Sequence, residues 1–506
     1  MTGLTVAAVD LGAESGRVAA AHFDGSRLEL DIQHRFANVP TTGNGWLRWD
    51  SDLMWQEISF GLAALGTTHT VASVGVDTWG IDYGLYGADN TLLEQPVAYR
   101  DGHRIDVFDR IVHRFGAAAL YGATGIQLLE INSLFSLIAQ AEETPEVLER
   151  TRRLLMMPDV FHNKLSGSIV TERTAASTTG FFDMAEGRWA TGLLEAVGIA
   201  TGILPEIAPS GTDVGPVIGA LATQGLAATR VILPPAHDTA SAVLAIPGAG
   251  AETLFISSGT WSLVGVVLPE PIISAASQKA NLTNEGGAGN TVRFLRNVMG
   301  LWILQECRRQ WKRDGREGDY ENIVRLAAAE PPLRSLINPN ATEFLAPGDM
   351  TARIREYCRR HGMPVPESIG QIARTIIDSL AVTYRLAAED IAAVTGVPIT
   401  SVAVVGGGGE NALLQQATAN ACGLPVTCWA KEATALGNAA TQLRTLGELD
   451  SLEQTWQVIA ESTRTRHFDP QPAGHWQQAA TTLRTLEQEE AHRHGFEEPG
   501  AKIFAQ

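Results

Sequence analysis

The run "LTVAAVDLGAESGRVAAAHF" at residues 4–23 contains two apolar, alanine- and valine-rich segments around a small polar loop, "DLGAESGR". It reads as a strand ended by Gly12, a tight turn and a returning strand. The same grammar restarts at residues 253–268, "TLFISSGTWSLVGVVL", with Ser257, Ser258, Gly259 and Thr260 in the turn. An opening that recurs half-way along a chain is what a duplicated fold leaves in its sequence. The small-residue connection "IPGAGAE", residues 246–252, separates the two copies. It divides the chain into residues 1–246, residues 247–470, and a C-terminal helix and tail over 471–506.

Working outward, "DSDLMWQEISFGLAAL" predicts a helix capped by Asp50 or Ser51, with Leu53, Ile58, Leu62 and Leu65 near one face. "VASVGVDTWGIDYGLY" returns to strand, and "TRVILPPAHDTASAVLAI" reads as strand, Pro-Pro break, then a helix capped by Asp238 or Thr239. "NVMGLWILQECRRQW" and the long segment from Ser368 to Gly396 read as amphipathic helices. "ITSVAVV" and "LPVTCWA" are strands, and "TALGNAATQLRTLG" is a helix. The end, from about Gly495, is expected to fray. The class is mixed α/β.

Composition narrows the function. At 506 residues the length alone suggests about three domains, fewer if they are large. A net charge of -18 argues against a nucleic-acid or membrane-surface partner, because neutralising phosphates takes clustered Lys and Arg. The four cysteines form no CxxC pair and suggest neither a disulfide framework nor a zinc site. The opening residues carry no basic leader and no long apolar run follows, so a cytoplasmic protein is expected.

The chemistry concentrates in four places. In "VVGGGGENALL" four glycines join a strand to a helix, which lets backbone N–H groups approach an anion that side chains would keep away. A tight strand-to-helix turn would look the same. In "VDLGAESGR" Asp10 ends a buried strand beside a loop of backbone donors, an arrangement suited to a Mg-nucleotide, though also to a plain β-turn. Asp238, behind a rigid Pro-Pro turn with His237 and Thr239 alongside, could accept a proton from an attacking hydroxyl or simply cap a helix. Asp77, Trp79 and Asp82 in "GVDTWGIDYG" combine carboxylates with an indole, either a grip for a sugar or a turn over a core tryptophan. Neither the dinucleotide fingerprint nor a Walker-type GxxxxGK[ST] is present.

Taken together, "AVDLGAESGR", "GVDTWGIDYGL", "PVAYRD", "TGIQ", "LLMMPDVF", "AHDTASAV", "SSGTWSLVG", "NLTNEGGAGN", "RNVMGLW", "INPN", "VVGGGGENALL" and "EATALGNAA" occur in this order and cover most of the chain. The sequence resembles the FGGY carbohydrate kinases of the actin-like ATPase superfamily. The resemblance implies two RNase H-like domains facing a central cleft, with ATP and Mg2+ as cofactors and a small ketose as acceptor. It points to the branch that phosphorylates L-rhamnulose at its primary hydroxyl; a kinase for L-fuculose or L-xylulose, or a non-catalytic sensor on the same fold, are the alternatives. By motif position, Ala13, Glu14, Ser15, Gly16, Arg17 and Thr260 would contact phosphates, and Gln305 and Gly408 the rest of the nucleotide. Gly80, His237, Asp238, Thr239 and Asn297 would contact the ketose, joined by Asp77 and Trp79. Asp238 would be the general base and Asp10 the metal-associated carboxylate. Two departures stand out. Glu14 puts a carboxylate in the phosphate loop, where it repels phosphate unless it turns away or holds a hydrated cation. In "TERTAAS", Arg173 and Ala175 replace the aromatic residue and Asn of related sequences, which bears on sugar preference.

Overall fold

The computed structural model describes residues 3–471 and 475–493; the tail expected to fray lies outside the described residues. Two sheets organise the chain. The first is built from β1 (Leu4–Leu11), β2 (Ser15–Phe23), β3 (Leu28–Ala37), β4 (Val71–Thr78), β5 (Asp213–Pro216) and β6 (Arg230–Ile232), in the order β5-β6-β4-β1-β2-β3. The second is built from β7 (Thr253–Ser258), β8 (Trp261–Leu268), β9 (Thr283–Gly286), β10 (Val292–Met299), β11 (Ser401–Val405), β12 (Val426–Cys428) and β13 (Arg466–Phe468), in the order β9-β10-β8-β7-β11-β12-β13.

Five strands of each sheet follow one plan. β3-β2-β1 and β10-β8-β7 are antiparallel, and β4 then β6, like β11 then β12, extend them in parallel. Parallel neighbours require crossover segments that cover the sheet faces. Accordingly Val6, Val9, Val74, Val76, Leu254, Ile256, Val402 and Val404 are all buried, with no in-out alternation.

The helices used below are α1 (Ser51–Thr68), α2 (Asp238–Leu244), α3 (Trp302–Arg313), α4 (Ile369–Thr395), α5 (Ala412–Cys422), α6 (Ala433–Thr445) and α7 (Trp476–Arg493). Asp50 caps α1 as expected, accepting the Leu53 N–H at 2.9 Å. The buried face, however, is Met54, Ile58, Leu62 and Leu65, and Leu53 is 49% exposed. Spacings of 4, 4 and 3 keep one face inward, whereas Leu53 lies five residues before Ile58 and rotates off it. α4 is a 27-residue core helix closed by Gly396 at φ +70°, as its sequence indicates.

Two other boundaries differ from the expectation. Asn297–Met299 belong to β10, and α3 begins only at Trp302, because Gly300 lies against Ser262 and breaks the chain direction. His237, not Asp238 or Thr239, occupies the N-cap position of α2, which makes Asp238 its first helical residue. The Pro-Pro turn holds His237 extended as a continuation of the strand row, where it pairs with Thr78.

α2 and α6 cross where a Cβ on Gly437 would lie 1.9 Å from the Ser241 carbonyl oxygen, so only glycine lets the two backbones meet. From α6, Asn438 Nδ2 donates to the Gly75 carbonyl at 3.1 Å and Gln442 Nε2 to the Ala7 carbonyl at 2.9 Å. The helix of the second half is thereby bonded to two strands of the first. Among the described residues no helix is long and apolar enough to cross a membrane.

Candidate active site

Three carboxylates gather at neighbouring strand ends in the first half. Asp10 on β1 lies opposite Asp77 on β4, and the Thr78–His237 pairing brings Asp238 to the end of the next row. Burial pushes the Asp10 carboxyl up to about 6; Arg17 opposes this, and the charges of Asp238 and Glu432 add to it. Asp77 is pushed well above the usual carboxylate range, by burial and then by Asp10. Asn438 Nδ2 donates to Asp77 Oδ2 at 2.6 Å, but Asp77 Oδ1 and Asp10 Oδ2 are buried without a hydrogen bond. Arg17 Nε stands 3.3 Å from the latter.

Crowded negative charge with spare oxygen lone pairs fits a divalent cation. Among the described residues no cage of three or more His, Cys, Asp or Glu side chains exists. A hydrated divalent ion keeps several waters and takes one or two carboxylates plus substrate phosphates, so it needs no such cage.

The loop between β1 and β2 is closed by the Gly12 N–H donating to the Ser15 carbonyl at 2.9 Å, and Asn38 ties it from outside through Glu14 O and Gly12 O. A Cβ on Gly16 would lie 2.3 Å from the Phe36 ring, so packing alone demands that glycine. Of the two ways in which Glu14 could avoid phosphate, the side chain takes the first: it turns across the cleft to Arg309 Nη2 of α3, at 2.7 Å. Arg17 likewise bonds Glu432 of the second half.

The second half repeats the turn, with the Gly259 N–H donating to Trp261 O at 2.8 Å. The Leu301 and Trp302 N–H groups donate to Gly259 O and Thr260 O at 3.1 Å each, docking the start of α3 on this turn. Gln305 sits one turn along α3, its Oε1 buried without a partner. The four-glycine segment packs on the same turn. Gly406 has φ +86°, and a Cβ on Gly408 would lie 2.0 Å from Ser258 Oγ, itself unpartnered. Asn411 then caps α5. Thr260, Gln305 and Gly408 are thus brought around one hairpin.

On the acceptor side, Asp238 Oδ1 receives the Thr239 N–H at 2.5 Å and lies 3.4 Å from His237 Nε2, leaving the side chain 29% exposed. Asn297 is held by Gln127, whose Oε1 accepts from both its N–H and its Nδ2 at 3.1 Å. Gly80 packs on Thr178, which accepts the Ile81 N–H at 2.9 Å.

The Trp-Gly segment needs revision. Trp79 is only 6% exposed and packs on Trp49, with ring centroids 4.5 Å apart. Asp82 Oδ2 accepts from Trp49 Nε1 at 2.6 Å, Trp79 Nε1 at 2.8 Å and the Tyr99 N–H at 3.2 Å. This is a core pair of tryptophans around a saturated carboxylate rather than an open indole face. Asp77 lies opposite Asp10 and accepts from Asn438. The altered loop is also accounted for: Arg173 reaches the Thr291 carbonyl at 3.4 Å on the second half, and Ala175 is buried.

Sequence reasoning missed the residues that act across the two halves: Arg309, Glu432, Asn438, Glu285 and Arg293. Glu285, Glu432 and Asn438 lie inside motifs already singled out; the partners of Glu432 and Asn438 are hundreds of residues away, and Glu285 meets His237 of the first half 48 residues back.

Residues 5–245 match the N-terminal domain, and residues 254–446 the C-terminal domain, of the FGGY family of carbohydrate kinases. The chain belongs to that family. A rhamnulokinase from Bacteroides thetaiotaomicron is 40% identical over 474 residues, 93% of this chain and 97% of that protein. One from Pectobacterium carotovorum is 38% identical over 479 residues, 93% of this chain and 95% of that protein. Among solved structures, a xylulose kinase from Lactobacillus acidophilus superposes with a TM-score of 0.78 at 16% identity, covering 97% of both chains. A Plasmodium falciparum glycerol kinase with ADP gives 0.74 at 15% identity, covering 98% of this chain and 99% of that one. These likenesses carry the two-domain fold. The FGGY kinase described here is a sugar kinase, and the family uses ATP and a divalent metal.

Proposed function

We propose that this kinase transfers the γ-phosphoryl group of Mg-ATP to O1 of L-rhamnulose in the cytoplasm, giving L-rhamnulose 1-phosphate and ADP. The substrate assignment is supported by the 38–40% identity to rhamnulokinases over 93% of the chain. The observation that carries the mechanism is the Asp238 carboxylate, partly open at the end of the strand row, beside His237 and near the buried Asp10–Asp77 pair.

The sugar would lie among Gly80, His237, Asp238, Thr239 and Asn297. Asp238 takes the proton of the O1 hydroxyl as O1 bonds to the γ-phosphorus and the bond to the β–γ bridging oxygen breaks. The main chain of Ala13 to Arg17, with Thr260, would donate to the phosphates, and Gln305 and Gly408 would seat the rest of the nucleotide. Asp10, with Asp77 beside it, would hold the hydrated Mg2+, which when bound offsets phosphate charge. In a closed cleft the water that would otherwise hydrolyse ATP is excluded.

The test is ATP consumption with L-rhamnulose beside L-fuculose, L-xylulose, L-ribulose and glycerol, each with and without Mg2+. Highest kcat/KM on L-rhamnulose, dependent on Mg2+, is expected. Preference for another ketose would keep the mechanism and overturn the substrate, and silence on all five would leave a sensor.

A further inference from the structure

The side chains of His237 and Asp238 come from the first half, but the groups that touch His237 on its other edge come from the second. Arg293 on β10 places Nη2 2.9 Å from His237 Nδ1, and Glu285 on β9 places Oε2 3.2 Å from the same Nη2 and 3.5 Å from Nδ1. Arg293 is fully buried, and its Nε donates to the Gly286 carbonyl at 2.8 Å, so the guanidinium is held along one edge. A guanidinium has donors only, so at 2.9 Å Nδ1 must present its lone pair. The ring proton then sits on Nε2, the nitrogen 3.4 Å from Asp238 Oδ1.

The main chain beneath is equally fixed. The His237 N–H donates to Thr174 Oγ1 at 3.0 Å, and that hydroxyl donates to Glu172 Oε2 at 2.5 Å. Glu172 also accepts the Ala236 N–H at 3.0 Å. The charged groups around the ring are therefore Asp238 on its own helix, Glu285 and Arg293 from the second sheet, and Glu172 behind Thr174. Arg293 Nη1 is buried with no hydrogen bond, while Glu285 Oε2 is paired with Arg293 Nη2 at 3.2 Å.

We propose that Arg293 and Glu285 are positioning residues that hold His237 neutral, with its proton on Nε2, the ring nitrogen on the Asp238 side. Glu285 orients the guanidinium, and Arg293 occupies the Nδ1 lone pair that would otherwise take a proton. The opposite tautomer would turn a lone pair toward the Asp238 carboxylate and push it out of line. An imidazolium would stabilise the Asp238 anion and make it a poorer proton acceptor. Because the two partners belong to different halves, the arrangement exists only when the halves meet. Its consequence for catalysis rests on the proposed role of Asp238; the tautomer does not.

The deciding measurement is 15N NMR of the histidine-labelled full chain, with the His237 signals assigned by their loss in His237→Gln. A bare Nδ1 and a protonated Nε2 between about pH 6 and 8 are expected; a proton on Nδ1 would overturn the proposal, whatever sugar the enzyme turns over. Arg293→Met should let Glu285 draw a proton onto the ring. Its kcat should fall about tenfold near pH 6 and recover as pH rises, with KM for ATP unchanged. Adding Glu285→Gln should remove the new acidic limb. A loss equal at every pH, unaltered by the second substitution, would assign the pair a purely structural role and overturn the inference. Should Arg293→Met fail to fold, Arg293→Lys keeps the donor and is expected to keep the wild-type pH profile.

Discussion

α2 and α6 hold equivalent places in the two halves, each following the outer parallel strand of its sheet, and each opens on an acidic residue at the cleft. They handle that residue in opposite ways. Glu432, the N-cap of α6, is bonded by Arg17 and, at 2.6 Å, by Arg35. Burial opposes its charge, but the two guanidinium groups hold its carboxyl below the usual range. Asp238, at the start of α2, has a main-chain N–H, a hydroxyl and an imidazole edge around it and, among the described residues, no arginine bonded to it. A carboxylate saturated by arginines is fixed as an anion and fastens the two halves. One without a bonded arginine, and partly open, is left accessible to a substrate.

Removing the accessible member has the largest expected effect. Asp238→Asn should lower kcat by about a thousandfold or more while ATP affinity, read by calorimetry, stays within about twofold. Near-normal turnover would sink its assignment as base.

Asp10→Asn separates charge from proton transfer. With the folded carboxyl raised to about 6, the folded state binds more protons than the unfolded one between about pH 4 and 6, so this group's contribution to stability falls as pH rises through that window. At pH 7, without nucleotide or metal, the Asn variant should therefore unfold at a higher temperature, by up to about 3 kcal/mol of stability. It should also lose most of its activity and the stabilisation that Mg2+ gives the wild type. A lower melting temperature would contradict the electrostatic reading.

Glu432→Gln tests the fastened member. A depressed carboxyl contributes stability above its unfolded value and loses it as pH falls, so the variant should cost about 1 to 2 kcal/mol at pH 7. The difference should disappear toward pH 3, checked by denaturant melts at both values.

Gly408→Ala would drive a methyl into Ser258 Oγ and should raise KM for ATP about tenfold with kcat little changed; Ser258→Ala in the same chain should recover part of it. Glu14→Gln weakens the half-exposed bond to Arg309 without touching the Arg309–Glu306 pair. It should change stability by less than about 1 kcal/mol, with an effect that shrinks in high salt.

The sequence carried the fold through period and punctuation. Two strand-turn-strand openings, the glycine run and the Gly396 stop are local signals, and each lies where the chain indicated. It misjudged features set by tertiary packing. Trp79 looks available for a sugar until Trp49 covers it. The pairs Glu14–Arg309, Arg17–Glu432 and His237–Arg293 join residues 295, 415 and 56 positions apart, and no spacing rule reaches across such separations.

The glycine crossing of α2 and α6 has a mechanical meaning. If the halves rotate about that contact, every atom travels in proportion to its distance from it. Asp238 lies three residues from Ser241, about 4.5 Å along the helix axis. Asp238 therefore sits almost on the fulcrum, and a wide swing at the lips of the cleft would scarcely displace it.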